Sequence, residues 1–244
     1  MNRALVAGAA GMAAQQAIID AISANLANAD TPGYRADRPE FAALIASDGQ
    51  TVGTASGEGR KLFSQGKLET TNNDDDLAID GEGLFEVQTA AGRAAFTRAG
   101  NFTPDANGRL LLAGGAALAG IRLPRGTTQM TIGADGLVRC RVVGKPGAVI
   151  AGHVRLCAFA DNPRLQLGSD GLFYPTQASG KCYRGAPGTG GFGSIKQRCL
   201  ERANVNVIGA MMAVLAAQRA YEASAKTVQA ADELLRLANN LERS

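Results

Sequence analysis

The chain has 244 residues, of which 45% are hydrophobic, and a formal net charge of +3 at pH 7. It is therefore long enough to bury a core and too apolar to be disordered along its whole length. Its basic residues form no block, which excludes the electrostatic footprint of a nucleic-acid-binding protein. No run approaches the roughly 18 uninterrupted apolar residues of a membrane span, so the sequence predicts no direct membrane insertion.

The first predicted element is an N-terminal helix over about residues 3–29. An apolar side chain recurs every seven positions, at Leu5, Met12, Ile19 and Leu26. Such a stripe lies along one face of a helix and requires a partner helix. Pro32 and Gly33 end the helix, and Asn25 and Asn28 are expected to shape the exit of the chain with them. Because the repeat continues beyond the cleavage point of a secretory signal, no cleaved signal peptide is expected.

The middle of the chain contains short apolar runs separated by turn residues. Residues 36–70 are polar and Gly-rich and predict an extended connector, with its least patterned part at 46–62. Residues 71–199 predict an antiparallel β-rich outer domain, in which Asn107-Gly108 and Asp135-Gly136 are turn signals. The predicted strands are Leu77–Ile79, Leu84–Thr89, Ala94–Thr97, Arg109–Leu112, Met130–Ile132, Leu137–Val143, Val149–Phe159 and Gly171–Tyr174.

A second long helix is predicted from about Val205 to about Leu241, with Asn204 as its N-cap. An apolar residue again recurs every seven positions, at Val207, Val214, Tyr221, Val228 and Leu235. Small residues lie three positions after each of these, at Ala210, Ala217, Ser224, Ala231 and Ala238. A ridge of small residues beside a ridge of larger ones lets another helix approach closely. The length of this pattern exceeds most globular helices and favours assembly through helix packing.

Together these elements predict an α+β fold, in which paired N- and C-terminal coiled-coil-like helices flank a central antiparallel β-domain. Residues 1–35 and 200–244 are expected to form one terminal helical assembly domain. The expected assembly interface consists of the two heptad stripes together with Asn25, Asn28 and Met211.

Three features could carry chemistry, and each favours a structural interpretation. The glycines of 188–193 fit G-x-G-x-x-G, but no parallel βαβ unit surrounds them, so a flexible connection is expected. The carboxylates of 74–76 lack the spacing of a calcium loop and indicate a solvated turn before a strand. His153 is the only histidine and has no nucleophile elbow with it, which favours a strand-end or surface position. We therefore expect no catalytic, metal or cofactor site.

The four cysteines contain no C-x-x-C pair, so a zinc site is not expected. Cys140 and Cys157 fall in predicted strands and are consistent with small buried residues. Cys182 and Cys199 lie in less regular sequence. A disulfide within either of these two pairs is possible but is not supported by spacing alone, and the redox state stays open.

Six blocks of sequence stand out from one end of the chain to the other. Near the N-terminus is ISANLANADTPGYR at 22–35. The predicted β-domain contains DLAIDGEGLF at 76–85, AFTRAGNF at 95–102 and DANG at 105–108. The C-terminal part contains LERANVNV at 200–207 and QRAYE at 218–222. In content and order these blocks resemble the signatures of the bacterial flagellar rod and hook proteins.

The resemblance implies a structural axial subunit of the flagellar basal-body rod, of the distal-rod branch, that self-assembles into a helical tube and transmits torque from motor to hook. The implied partners are copies of the chain, neighbouring rod and hook proteins, the type III export apparatus and the surrounding ring proteins. It implies export without a cleaved signal and a place in the periplasm-spanning rod. The alternatives are a proximal rod protein of the same family and a self-contained secreted β-rich binding module.

Overall fold

The structure, a computed structural model, describes residues 3–39, 41–45, 51–56 and 59–241. Helix α1 spans Arg3–Ala27 and helix α2 spans Val207–Leu241. A short 3-10 helix covers Asn162–Arg164. The strands are β1 Asp37–Arg38, β2 Phe41–Ile45, β3 Thr51–Ser56, β4 Arg60–Lys61, β5 Leu68–Thr70, β6 Leu77–Asp80, β7 Leu84–Gln88, β8 Ala94–Thr97, β9 Thr103–Pro104, β10 Leu110–Leu111, β11 Ala117–Leu118, β12 Thr127–Ile132, β13 Leu137–Val142, β14 Ala148–His153, β15 Leu156–Ala158, β16 Gln166–Leu167, β17 Phe173–Tyr174, β18 Tyr183–Gly185, β19 Ser194–Gln197 and β20 Cys199–Glu201.

The predicted α+β class and most predicted elements are confirmed, and two details are wrong. The N-cap of α2 is Asn206, whose Oδ1 accepts a hydrogen bond from the backbone N–H of Gly209 at 3.0 Å, and not Asn204. The predicted strand Val149–Phe159 is divided into β14 and β15, because the backbone N–H of Val154 turns away to donate to the carbonyl of Gly136. Parts of the predicted connector, 46–50 and 57–58, lie outside the described residues.

The chain forms two compact units. The first contains residues 1–29, 36–62 and 205–244, and the second contains 30–35 and 63–204. In the first unit, β2 and β3 form an antiparallel hairpin, and β1 pairs with β4. The two long helices of this unit also lie against each other, as the surroundings of Gly8 and Gly11 show below.

The contact between α1 and α2 is made where both helices have small residues. A methyl group at Gly8 would overlap Cγ2 of Val228, and one at Gly11 would lie 3.2 Å from Oγ of Ser224. Moving forward along α1 from Gly8 to Gly11 moves the contact backward along α2, so the two helices run antiparallel. Glycine at position 8 therefore permits a close approach that a side chain would prevent.

The second unit is built around β7, which pairs with β8, β11 and β15. Successive side chains of a strand point to opposite faces, so Leu84 and Phe85 enter different parts of the core. Phe85 belongs to the larger cluster with Phe102 and Leu156, and Leu84 to a smaller cluster with Phe96. Every side chain named here is at most 2% exposed, so the start of this strand is buried on both faces.

A separate antiparallel sheet within the second unit has the order β12-β13-β14. The side chains of β13 alternate, with Val138, Cys140 and Val142 buried and Arg139 and Arg141 exposed. One face of this sheet therefore packs on the core and the other faces solvent, as is common for antiparallel sheets.

By length and mean hydropathy, Leu5–Ala27 meets the criterion for a membrane span, which counting uninterrupted apolar residues did not detect. Signal sequences and core helices of soluble proteins meet the same criterion, so it does not separate these classes. In the structure this helix has a protein partner in α2.

The antiparallel contact can be tested with a paired cysteine substitution, Gly11→Cys with Ser224→Cys, in a chain whose partly exposed free Cys199 is changed to Ser. A Cβ at position 11 would lie 3.8 Å from Cβ of Ser224, which is within the usual disulfide range of about 3.5–4.5 Å. We expect rapid formation of an intramolecular disulfide, detected by peptide mass mapping without reductant. The matched control, Gly11→Cys with Glu222→Cys, should not form it; equal yields from the two pairs would contradict this helix pairing.

Candidate functional site

The predicted assembly residues of α1 lie along its partly buried side. Leu5, Met12, Ile19 and Leu26 are all half-buried, whereas Ala14 is buried. The heptad residues of α1 therefore flank the closest helix contact, and small residues form it.

The predicted assembly residues of α2 differ in exposure along the helix. Val214 and Val228 are half-buried. Val207, Met211 and Tyr221 are exposed by 38%, 53% and 38%, respectively. The side chain of Leu235 lies outside the described residues. The heptad stripe is therefore buried to different extents along its length.

The predicted interface did not include several strongly exposed apolar residues of α2. Ile208, Met212 and Leu215 are exposed by 78%, 64% and 51%. With Met211 they follow the i, i+3, i+4, i+7 spacing of one helix face, and that spacing could have identified them. We call these four residues the α2 apolar patch.

The α2 apolar patch points away from the side of α2 that contacts α1. Nine residues separate Leu215 from Ser224, and nine separate Ile208 from Ala217. At 3.6 residues per turn this spacing is two and a half turns, so the members of each pair lie on opposite sides of the helix. Ala217 is buried and Ser224 is the residue nearest Gly11. One side of α2 is therefore occupied by α1, and the other presents large apolar side chains to solvent.

The side chain of Asn25 holds the exit from α1. Its Nδ2 donates to the backbone carbonyl of Asp37 at 2.8 Å, and its Oδ1 accepts from the backbone N–H of Asp37 at 2.7 Å. The amide therefore pairs with an extended backbone as a neighbouring strand would. Asn28 bonds locally, its Nδ2 donating to the carbonyl of Ala24 at 2.9 Å.

Gly33 requires glycine for two reasons. Its φ of +71° is in the left-handed region, and a Cβ there would overlap the backbone of Ala99. Its backbone N–H donates to the carbonyl of Glu201 at 2.7 Å. The segment that follows α1 is therefore in contact with the segment that precedes α2.

A buried ionic group lies at this point of the second unit. Oε1 of Glu201 accepts from Nη2 of Arg35 at 2.7 Å, and Oε2 accepts from Nη1 of Arg98 at 3.1 Å. The backbone N–H of Gly66 also donates to Oε1, at 2.8 Å. Each of the three charged residues is at most 3% exposed. We call this group the Glu201 centre.

The Glu201 centre contains two guanidinium groups and one carboxylate, so a net positive charge is buried. Arg98 offsets part of this cost by donating to the carbonyls of Ile79 at 3.3 Å and Gly81 at 2.6 Å. Burial lowers the pKa of Arg98, and Arg35 lowers it further, while the nearby charge of Glu201 opposes both effects. Removing one partner from such a group leaves an uncompensated buried charge.

The Glu201 centre was not predicted, although its members lie in three of the blocks that carry the family resemblance. Arg35 ends the block 22–35, Arg98 lies in 95–102, and Glu201 lies in 200–207. No local pattern indicates that residues separated by 103 and 166 positions form ion pairs.

The acidic triplet before β6 is a turn, as predicted, but it is not uniformly solvated. Asp74 pairs with Arg198. Asp76 is buried and accepts hydrogen bonds from Thr71 Oγ1 at 2.7 Å and Asn73 Nδ2 at 3.1 Å. Burial, followed by the charges of Asp74 and Asp76, raises the pKa of Asp75. Within the described residues, no cluster of His, Cys, Asp and Glu could hold a metal ion.

The other two features considered for chemistry, the glycines of 188–193 and His153, are a turn and a surface residue. The glycines of 188–193 form a turn in which the N–H of Gly188 donates to the carbonyl of Gly193, and a strand follows it instead of a helix. His153 is exposed at the end of β14, which confirms its predicted position.

The structure joins the cysteines differently from both pairings considered. Cys157 forms a disulfide with Cys182, with 5.9 Å between their Cα atoms. The bond joins β15 to the segment before β18, beside the smaller core cluster. Cys140 is free and buried, as expected from its strand position, and Cys199 is free and half-buried.

Three family models match the chain in sequence order. The model described as flagella basal body rod protein matches residues 5–35. That of the flagellar hook protein FlgE/F/G D1 domain matches 78–140. That of the flagellar basal body rod FlgEFG protein C-terminal matches 196–241. Members of the Glu201 centre lie in all three matched segments.

Full-length relatives are also similar to the chain. The flagellar basal-body rod protein FlgG of Caulobacter vibrioides is 34% identical over 259 residues, covering 98% of this chain and 99% of the relative. FlgG of Borreliella burgdorferi is 33% identical over 264 residues and covers both chains completely. The flagellar basal-body rod protein FlgF of Escherichia coli is 33% identical over 247 residues, with 96% of each chain covered.

Truncating the shared carboxylate, Glu201→Ala, should destabilise the second unit by about 3–5 kcal/mol, because it leaves two buried guanidinium groups without their counter-ion. Arg202→Ala is the matched control, since its pairs with Asp30 and Glu69 are exposed and exposed pairs contribute less than about 1 kcal/mol. Urea unfolding followed by circular dichroism measures both. A Glu201→Ala chain as stable as the control would show that the Glu201 centre does not stabilise the second unit.

Neutralising Asp75 should stabilise the protein at neutral pH. An acid whose folded pKa is raised above its unfolded value loses stability as pH rises from the unfolded to the folded pKa, and this loss persists at higher pH. Asp75→Asn should therefore unfold at higher urea concentration than the wild type at pH 7, with the difference disappearing near pH 3. A variant that is less stable at pH 7, or a difference that does not change with pH, would contradict the raised pKa.

Proposed function

Because the chain belongs to the flagellar basal-body rod protein family, we propose that it assembles with copies of itself through the exposed sides of α1 and α2. The chain is a structural subunit of the rod, of the distal type that its relatives named FlgG represent. The proposal assigns it no catalytic step. What remains to be explained is which of its surfaces make the polymer.

The observation that carries the proposal is the exposure of the α2 apolar patch. Four large apolar side chains on one helix face, each more than half exposed, form a contiguous surface of the kind that marks an interaction site. Complete burial of such a side chain contributes about 1.5–3 kcal/mol. This gain is large enough to drive association when repeated at every subunit.

The exposed side of α1 offers a different and complementary surface. Ala9, Ala13, Gln16 and Asp20 are exposed and recur along one face of the helix. Small residues on that face let the large side chains of a neighbouring α2 approach closely. Contact between two different surfaces is heterologous. Repeated heterologous contacts produce an open helical polymer when the rotation between neighbouring subunits does not close a ring. A tube is such a polymer.

The two long helices suit a shaft that transmits torque. α2 has 35 residues and is therefore about 50 Å long at the rise of an α-helix. Packing of long helices along the shaft resists bending and shear better than loops would. We propose that the terminal helices form the inner tube, with coiled-coil-like packing between subunits, and that residues 71–199 form the outer layer.

The heptad residues keep a role in this proposal, though a different one from a single seam. Half-buried Val228 contacts α1 at Gly8, so a charged replacement there disturbs that contact as well as assembly. Val214 is also half-buried and is proposed to take part in assembly. Tyr221 and Met211 are more exposed and are proposed to extend the surface between subunits.

The finer surroundings of the subunit follow from family membership and are proposals. We propose that the chain is exported by the flagellar type III apparatus without a cleaved signal peptide and occupies the part of the rod that spans the periplasm. Its neighbours there would be other rod proteins, the hook and the surrounding ring proteins. The alternative of a self-contained secreted binding module would require α1 and α2 to be dispensable.

A charge in the α2 apolar patch should prevent assembly without unfolding the protein. We expect Met212→Asp to abolish polymers seen by electron microscopy and by sedimentation, because the charge would have to be buried without a partner. Gln177→Asp, which makes the same charge change at an exposed position of the second unit outside both helices, is the control and should still assemble. Circular dichroism checks that both variants are folded. Normal polymers from Met212→Asp would exclude the patch as the interface.

A further inference from the structure

Charge is distributed unevenly along the second unit. Residues 68–92 contain seven acidic and no basic residues, and residues 106–160 contain seven basic residues and one acidic residue. The whole chain has a net charge of only +3, so these opposite local charges nearly cancel in composition. Whether they cancel in space depends on which groups form ion pairs.

The acidic segment, residues 68–92, is largely neutralised by ion pairs within the chain. Residues near the C-terminal end of the unit supply the cations, in the pairs Arg184–Glu86 at 2.7 Å, Lys196–Asp80 at 2.8 Å, Arg198–Asp74 and Arg202–Glu69 at 3.0 Å. Asp76 is satisfied by its hydrogen bonds with Thr71 and Asn73. Asp75 and Glu82 are in none of these pairs, so most of the negative charge of this segment, but not all of it, is balanced locally.

The basic segment, residues 106–160, is not neutralised by ion pairs to the same extent. Of its seven basic residues, Arg109 pairs with Asp105. Within the described part of the chain, no ion pair involves the other six, which are all exposed: Arg122, Arg125, Arg139, Arg141, Lys145 and Arg155. The uncompensated positive charge of the unit is concentrated here.

Two of these residues share the solvent face of the β12-β13-β14 sheet. Arg139 and Arg141 are two positions apart on the central strand, so their side chains leave the same face about 7 Å apart. Arg139 lies opposite Thr131 on one side and Ile150 on the other. Arg141 lies opposite Gln129 and Ala148, so every cross-strand neighbour of the two arginines is uncharged.

Apolar side chains are exposed beside these arginines. Ile150 is 63% exposed on β14, and Val143, just after β13, is 71% exposed. Arginine together with exposed apolar residues is typical of protein–protein interfaces, which are depleted in lysine. A site for nucleic acid or an anionic membrane would instead be expected to have a denser cluster of lysine and arginine.

We propose that the outward face of this sheet docks an acidic protein surface, with Arg139 and Arg141 as charged anchors and Ile150 as the apolar anchor. We take the partner to be a protein other than a second copy of the chain, because four of the seven acidic residues of 68–92 are already in ion pairs within the chain. The proposal goes beyond self-assembly, which uses α1 and α2. The two can fail separately, because substitutions on the sheet leave the helices unchanged.

The test measures binding of the full chain to a random copolymer of glutamate and tyrosine, an acidic polypeptide with apolar groups. We expect Arg139→Glu with Arg141→Glu to weaken binding at low salt by about tenfold or more, since charge-assisted contacts are replaced by repulsion. Lys67→Glu with Lys181→Glu makes the same change in net charge elsewhere on the exposed surface and should bind as the wild type does. Equal weakening by both pairs would overturn the proposal.

Two further measurements separate docking of a protein from general anion binding. The wild type should bind the copolymer more tightly than polyglutamate, and Ile150→Ser should remove that preference. Tighter binding to phosphatidylglycerol vesicles or to a DNA duplex than to the copolymer would overturn the proposal in favour of those ligands. If the double glutamate variant fails to fold, Arg139→Gln with Arg141→Gln replaces it, and its binding is judged in the same way.

Discussion

The structure of the second unit depends on one buried carboxylate. Glu201 neutralises part of the charge of Arg35 and Arg98 and also accepts the backbone N–H of Gly66. Arg35 follows α1 closely in sequence, and Glu201 closely precedes α2. The centre therefore fixes, within one unit, the points where the chain arrives from one helix and departs to the other. A buried pair of this kind specifies position strongly even where its net contribution to stability is modest.

The two sides of α2 have different roles in the first unit. The side with Ala217 and Ser224 allows the close approach of α1 at Gly8 and Gly11. The opposite side exposes the α2 apolar patch, which the helix pair itself cannot bury. A subunit built in this way has satisfied its internal contact and still presents a surface that favours association. This combination accounts for a chain that is folded and able to polymerise.

Much of the fold could be predicted from the sequence because its signals are local. Heptad spacing identified both helices, and turn residues such as Asp135-Gly136 separated β12 from β13 correctly. The contacts that could not be predicted are long-range. No local pattern of residue spacing indicates the ion pairs of Glu201 or the disulfide of Cys157. The heptad pattern also did not reveal which side of α2 is covered, because exposure depends on where α1 lies.

The most direct test of this account is a helical reconstruction by electron cryomicroscopy of polymers grown from the full chain. We expect tubes in which the α2 apolar patch of each subunit is buried against α1 of a neighbour. We also expect the Glu201 centre to be intact within every subunit. Polymers in which Ile208, Met212 and Leu215 stay exposed to solvent, with subunits joined through other surfaces, would contradict this account.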